Sequence, residues 1–182
     1  MRELSLHILD IAENSFEANA TLVGISVTQH DDYLTIFTYD NGDGMDKEFL
    51  KTVTSPYQTT KKGKKVGMGI PLLKASAERC GGIFEITSDK GKGTLVTATF
   101  KIDAIDRPPL GDIAETLVTL LGNLGDRELC FYYEVYDCEF LLDSYEIKEE
   151  LGSVPLNSPE VLVFLREMIK ENIKTNFRGV SL

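Results

Sequence analysis

Tyr39-Asp40-Asn41-Gly42-Asp43-Gly44-Met45 sets a carboxylate at the end of an extended-looking run and follows it with a turn that holds two glycines. An acid at such an exit can accept a hydrogen bond from a ligand's amino group. Glycines beside it permit φ > 0 and remove the β-carbons that would hold a flat ring off the backbone. The same residues also suit a plain turn or a calcium loop, so the surrounding segments decide between these readings.

Upstream, Leu4, Ile8, Leu9, Ile11, Ala12 and Ala18 recur near helical spacing, which predicts one amphipathic helix from Glu3 to Ala18. Asp10, Asn14 and Glu17 are three and four residues apart and share a face of it. Strands are predicted over 22–28 and 33–39 with a turn at His30-Asp31-Asp32, which leaves Asp40 at a strand exit. A short helix over 46–53 opens with Asp46 and Glu48, acids that suit the positive end of a helix dipole. Regular periodicity then stops, and residues 54–66 read as a loop rich in hydroxyls that carries Lys61, Lys62, Lys64 and Lys65. Gly67-Met68-Gly69 leads into a helix over 70–79, and Cys80-Gly81-Gly82 ends it as a glycine C-cap. Strands over 83–88 and 93–102 close the set around the tight turn Asp89-Lys90-Gly91-Lys92. Helix, strand pair, helix, strand pair predicts an α+β two-layer sandwich, with the helices on one face of a mixed sheet.

Charge marks a change of character further on. Residues 1–102 carry 12 Lys or Arg against 13 Asp or Glu, whereas residues 103–182 carry 7 against 16, so most of the net charge of −10 lies in the second part. Asp103-Ala104-Ile105-Asp106-Arg107-Pro108-Pro109 reads as a linker. The expected division is a domain over 1–102, a linker over 103–110 and a small acidic α-β-β-α region over 111–182. In that region Ile113, Leu117, Leu120, Leu121 and Leu124 form a helical stripe, 129–135 and 140–147 form a strand pair, and Ser158-Pro159 opens a last helix. Such a region suits a protein-binding module or a homodimer contact, and its acidity disfavours nucleic acid.

A chain of 182 residues with 42% hydrophobic content can bury a core, and no apolar run approaches the roughly 20 residues that cross a bilayer. A cytoplasmic protein is expected. Cys80, Cys130 and Cys138 fit no zinc spacing and read as reduced packing residues. His7 and His30 are the only histidines, which leaves little material for a histidine metal site; His7, in apolar company, reads as a structural residue.

A polar helix face, a strand-end Asp-Gly turn and a lysine-rich loop before a helix N-terminus are complementary parts of one pocket, and they suit a magnesium nucleotide. Asp40 would take the adenine amino group, Asn14 a magnesium ion through its amide oxygen, and the backbone around Gly67 and Gly69 the phosphates. No glycine-rich turn ends in Gly-Lys followed by Ser or Thr, so this is not a P-loop. The four lysines read as phosphate contacts when the loop closes, or as a solvated charge run.

Glu13-Asn14-Ser15-Phe16-Glu17-Ala18-Asn19-Ala20-Thr21 followed by Asp40-Asn41-Gly42-Asp43-Gly44-Met45 resembles the ATP-binding domain of the GHKL superfamily, which groups gyrase, heat-shock chaperone, histidine kinase and mismatch-repair ATPases. The first segment is most similar to the mismatch-repair branch. Residues 55–61, Gly67-Met68-Gly69-Ile70 and Gly91-Lys92-Gly93-Thr94 are more similar to the histidine kinase branch. The resemblance covers about residues 3–102 and implies a histidine kinase-like ATP-binding fold with ATP and Mg2+ as cofactors. It implies that Asn14 binds the metal, Asp40 reads adenine, and Gly42, Gly44 and Met45 form the pocket turn. Lys61, Gly67, Met68 and Gly69 would belong to the phosphate lid, and Thr94 would support adenine through a water. The family's general base falls on Asp10, one methylene shorter than the glutamate of the gyrase and mismatch-repair branches, with Glu13 as the alternative. The functions implied are a phosphotransferase acting on a partner protein, an ATP-driven conformational switch with slow hydrolysis, or a passive nucleotide binder.

Overall fold

The computed structural model describes residues 3–54, 69–135 and 138–176. Helix α1 (Leu4–Glu17) runs into the hairpin β1 (Leu22–His30) and β2 (Tyr33–Asp40), then the short α2 (Lys47–Thr52) and α3 (Gly69–Arg79). A second hairpin, β3 (Phe84–Asp89) and β4 (Gly93–Lys101), precedes α4 (Ile113–Gly122), β5 (Glu128–Val135), β6 (Cys138–Asp143), α5 (Ser144–Leu151) and α6 (Pro159–Asn176). The strands make one six-stranded sheet in the order β3-β4-β2-β1-β5-β6. It is mixed, as expected: β1 and β5 run parallel and every other neighbouring pair is antiparallel.

Period-two patterning sets the layers. Val23, Ile25 and Val27 of β1, Leu34 and Ile36 of β2, Val96, Ala98 and Phe100 of β4, and Leu129, Phe131 and Tyr133 of β5 are buried on one face. Against them pack Leu4, Ile8, Ile11 and Ala12 of α1, Leu73 and Ala77 of α3, and Leu117, Leu120 and Leu121 of α4, all in a single cluster. Intervening strand residues such as Ser26, Thr28, Thr35 and Thr97 are only half-buried, so the opposite face is open. A sheet with helices on one side needs apolar residues on that side only.

The acidic C-terminal strands do not form a sheet of their own. β5 pairs with β1 along eight positions from Leu22↔Glu128 to Gln29↔Val135, so the sheet continues through both parts of the chain. The 103–110 stretch is held down at its end, because Leu4 and Ser5 at the start of α1 donate their N–H groups to the carbonyls of Pro109 and Leu110. Those N–H groups have no partner within the helix, and here the linker backbone takes the place of a capping side chain. Arg127 lies over the Phe16 ring at 4.4 Å, a second tie between the two parts.

One predicted element changes type. The strand expected over 140–147 stops at Asp143, and Ser144–Leu151 is helix α5. The Asp143 carboxylate accepts from the Tyr145 N–H at 2.8 Å, an N-cap that turns the chain out of the sheet. Ser158 donates its hydroxyl to the Pro155 carbonyl at 2.9 Å ahead of α6. Among the described residues no helix is long and apolar enough to cross a membrane.

Candidate functional site

The covered end of β2, the exposed edge of α1, the turn after Asp40, α2 and the start of α3 surround a cavity of about 550 Å3. That volume falls in the range of small-molecule sites. Ile11, Met45, Phe49, Val53, Ile70 and Val96 give it apolar walls, while Asn14, Ser15, Asp40 and Thr94 bring polar atoms to them. Apolar walls with a few fixed polar groups suit a flat heterocycle that must be oriented by hydrogen bonds.

Asp40 is 5% exposed, and its carboxylate is held by three donors. Ser15 Oγ donates to Oδ2 at 2.7 Å, and the N–H groups of Gly42 and Thr94 donate to Oδ1 at 2.9 and 3.2 Å. An ionised carboxylate offers about four acceptor positions. Three are filled from the protein, and the acid lines the cavity with capacity for one more donor. Ser15 is present because α1 turns its core side toward β2 here; it is buried in line with Ile8, Ile11 and Ala12.

The turn that follows is fixed from several sides. Asp43 N–H donates to Ala18 O at 2.7 Å, Gly91 N–H to Asp43 O at 2.7 Å, and Asn41 Oδ1 accepts from the N–H groups of Thr21 and Leu22. Gly44 has φ +62°, and a β-carbon there would lie 2.1 Å from Asp89 O, so both backbone angle and space exclude a side chain. Met45 N–H donates to Ser88 Oγ, which donates to Gly93 O and lies 3.1 Å from Thr94 Oγ1. With the one Ser88 hydrogen committed to Gly93, the Thr94 hydroxyl donates to Ser88 and keeps its lone pairs for the cavity.

On α1, Asn14 Nδ2 donates to Asp10 Oδ2 at 3.1 Å, one helical turn earlier. That bond commits one of the two amide hydrogens to Asp10 and leaves the amide oxygen uncommitted to it. Oxygen is the donor a hard divalent cation takes, so Asn14 fits a magnesium ion whose other ligands are phosphate and water. Among the described residues no three His, Cys, Asp or Glu side chains cluster as a metal site. Asp10 is half-buried and stands behind the cavity wall, pressed against the start of α3; a β-carbon on Gly69 would meet Asp10 Oδ2 at 1.7 Å. Only glycine lets the α3 backbone approach the acid so closely.

Of the residues the sequence pointed to, Asn14, Asp40, Gly44, Met45, Gly69 and Thr94 line the cavity together. Gly42 binds Asp40 from behind, and Asp10 reaches the site through Asn14 and Gly69. Lys61, Gly67 and Met68 lie outside the described residues, as do Lys62, Lys64 and Lys65. Glu13 is exposed and is absent from the cavity walls. Sequence reasoning missed Ser15, Ser88, Lys90 and the apolar walls other than Met45. Ser15 was legible as a small hydroxyl inside the apolar stripe of α1; Ser88 and Lys90 depend on how two hairpins meet.

His7 lies two helical turns before Asn14 and is 1% exposed. Neither ring nitrogen has a hydrogen-bond partner among the described residues. Burial lowers its pKa to about 4; the Gly69 backbone opposes that shift without reaching hydrogen-bonding geometry. The imidazole is therefore neutral near pH 7, beneath the start of α3.

A family model described as "Histidine kinase-, DNA gyrase B-, and HSP90-like ATPase" matches residues 2–104. Sporulation kinase D of Bacillus subtilis is 32% identical over 99 residues, which are 53% of this chain and 19% of that protein. The sensor histidine kinase ZraS of Escherichia coli is 27% identical over 106 residues, 57% of this chain and 23% of that protein. The chain spans about a fifth of the length of the curated relatives it matches. Among solved structures, the N-terminal domain of a DNA repair protein superposes with a TM-score of 0.54 at 15% identity, covering 98% of this chain and 58% of that one. That likeness is one of fold, and it extends through the C-terminal strands.

Proposed function

Because this chain belongs to the histidine kinase-, DNA gyrase B-, and HSP90-like ATPase family, we propose that its cavity binds ATP with magnesium and that the chain acts in intracellular signalling, passing the γ-phosphate to a partner protein in the cytoplasm. The observation that carries the nucleotide reading is the vacant acceptor capacity of a buried Asp40 already held by three donors. An adenine amino group would supply the fourth hydrogen bond, and Met45, Ile11 and Val96 would hold its ring. The Thr94 hydroxyl accepts from a water beside the ring. The Asn14 oxygen contributes to a magnesium ion, which when bound would neutralise phosphate charge. The phosphates would lie toward the start of α3, where Gly69 and Ile70 line the cavity.

Asp10, behind the cavity wall and bonded to Asn14 at that end, is the base of this reading. In transfer, an acceptor oxygen attacks the γ-phosphorus, the bond to the bridging oxygen breaks, ADP leaves, and the acceptor's proton passes to the Asp10 carboxylate. Asn14 orients that carboxylate through its amide N–H. Partner transfer is supported by the sensor kinase relatives and by the acidic C-terminal part of the chain.

One observation favours a second reading, an ATP-driven switch. The N-terminus of α1, the helix that carries Asp10 and Asn14, is bonded to the carbonyls of Pro109 and Leu110, so a nucleotide that shifts α1 shifts that junction too.

The chain is incubated with γ-labelled ATP and magnesium, alone and with cell lysate. Label on a second protein is the expected result; free phosphate alone assigns the switch, and neither product leaves a passive binder. By titration calorimetry Asp40→Asn abolishes nucleotide binding, whereas Asp10→Asn keeps affinity and loses turnover. Retained affinity in Asp40→Asn refutes the adenine contact.

A further inference from the structure

Among the described residues the sheet has two edges, β3 and β6, and they are finished differently. On the open face β3 presents Glu85, Thr87 and Asp89, all polar and exposed, which keeps an edge from recruiting another strand. β6 presents Glu139, Leu141 and Asp143 on that face, and Leu141 is 59% exposed opposite Tyr132 of β5. Its covered side is apolar as well, with Phe140 and Leu142 buried. Neither edge strand contains proline, lysine or arginine, so what separates them is Leu141 standing where β3 has Thr87.

We propose that β6 is a docking edge for an extended segment of a partner protein whose open-face side chains read basic, apolar, basic. A strand added beside β6 gains backbone hydrogen bonds from the edge and sets alternate side chains next to Glu139, Leu141 and Asp143. The apolar residue covers Leu141 and Tyr132, and each flanking cation faces an acid. Glu134, on the same face of β5, extends the negative surface inward.

Charge argues against a second copy of this chain as the occupant. The antiparallel register that pairs β6 with itself along its length puts Leu141 on Leu141, but it also puts Glu139 against Asp143 twice, like charges one strand spacing apart. A basic-apolar-basic segment removes that repulsion. The inference rests on the partner-protein part of the reading above and is independent of its nucleotide part.

The test titrates the full chain into fluorescein-labelled peptides and reads anisotropy. The probe is Ser-Lys-Val-Leu-Val-Lys-Ser, with Ser-Glu-Val-Leu-Val-Glu-Ser as its acidic twin. The basic peptide is expected to saturate and the acidic one to bind at least about tenfold more weakly. Leu141→Lys and Glu139→Lys each weaken the basic peptide by about tenfold. Both positions are exposed, so the fold is retained, and circular dichroism checks it. Asp40→Asn leaves peptide affinity unchanged, which separates this result from any failure of nucleotide binding. Equal affinity for the two peptides, binding of neither, or binding that survives Leu141→Lys overturns the proposal. So does a concentration-dependent dimer in sedimentation that Leu141→Lys abolishes, because that result gives the edge to a second copy.

Discussion

At the scale of single residues, His7 shows what burial does to a group the sequence could only call structural. Its folded pKa of about 4 lies below the unfolded value near 6.5, so the native state takes up a proton less readily than the unfolded chain. The contribution is complete above pH 6.5 and is lost as pH falls toward 4. Between pH 7.5 and 4.5 this one group removes about 2–3 kcal/mol of stability. Urea unfolding at those two pH values should show His7→Phe losing less stability on acidification than the parent chain, by about that amount; equal losses would mean that the imidazole is not desolvated in solution. Asp40 presents the opposite case. Its place at a strand exit and its glycine neighbours were readable from the residue order, yet the donors that hold it come from α1, from the turn and from β4. The acid was legible because backbone chemistry at a turn is local. Ser15 stood out as a hydroxyl in an apolar helix stripe, but the acid it bonds is known only once the element packed on that stripe is known.

At the scale of elements, strong periodicity made the first hundred residues readable. The observed bounds of α1, β1, β2, α3, β3 and β4 differ from the expected ones by one or two residues, the usual fraying of ends. The stretch after Phe140 was misread because Tyr145-Glu146-Ile147 resumes an apolar-polar-apolar alternation, a pattern that continues a strand on paper. A single cap decides otherwise. Asp143→Ala removes the acceptor for the Tyr145 N–H and should cost about 1 kcal/mol, read as a lower urea midpoint with an unchanged slope. A variant as stable as the parent would mean that packing of α5 on β5 alone sets the boundary. The joining of β5 to β1 could not be read in advance, since parallel pairing between strands about a hundred residues apart leaves no local trace.

At the scale of the whole molecule, the change in charge near residue 103 suggested two units, and the backbone joins them in one sheet. A fragment of residues 1–104 keeps every residue matched by the family model but strips β5 from β1 and α4 from α1. Val23, Val27 and Leu4 would meet water, and β1 would become a bare edge. The fragment should give a non-cooperative urea transition and bind a hydrophobic dye, whereas the full chain unfolds in one step. A cooperative fragment with native nucleotide affinity would show that the first hundred residues are self-sufficient. The pairing of β1 with β5 also bears on how such a gene can be rearranged. A break between residues 1–104 and their acidic continuation would tear a ladder of backbone bonds, so moving the first part onto a new scaffold means carrying the continuation with it.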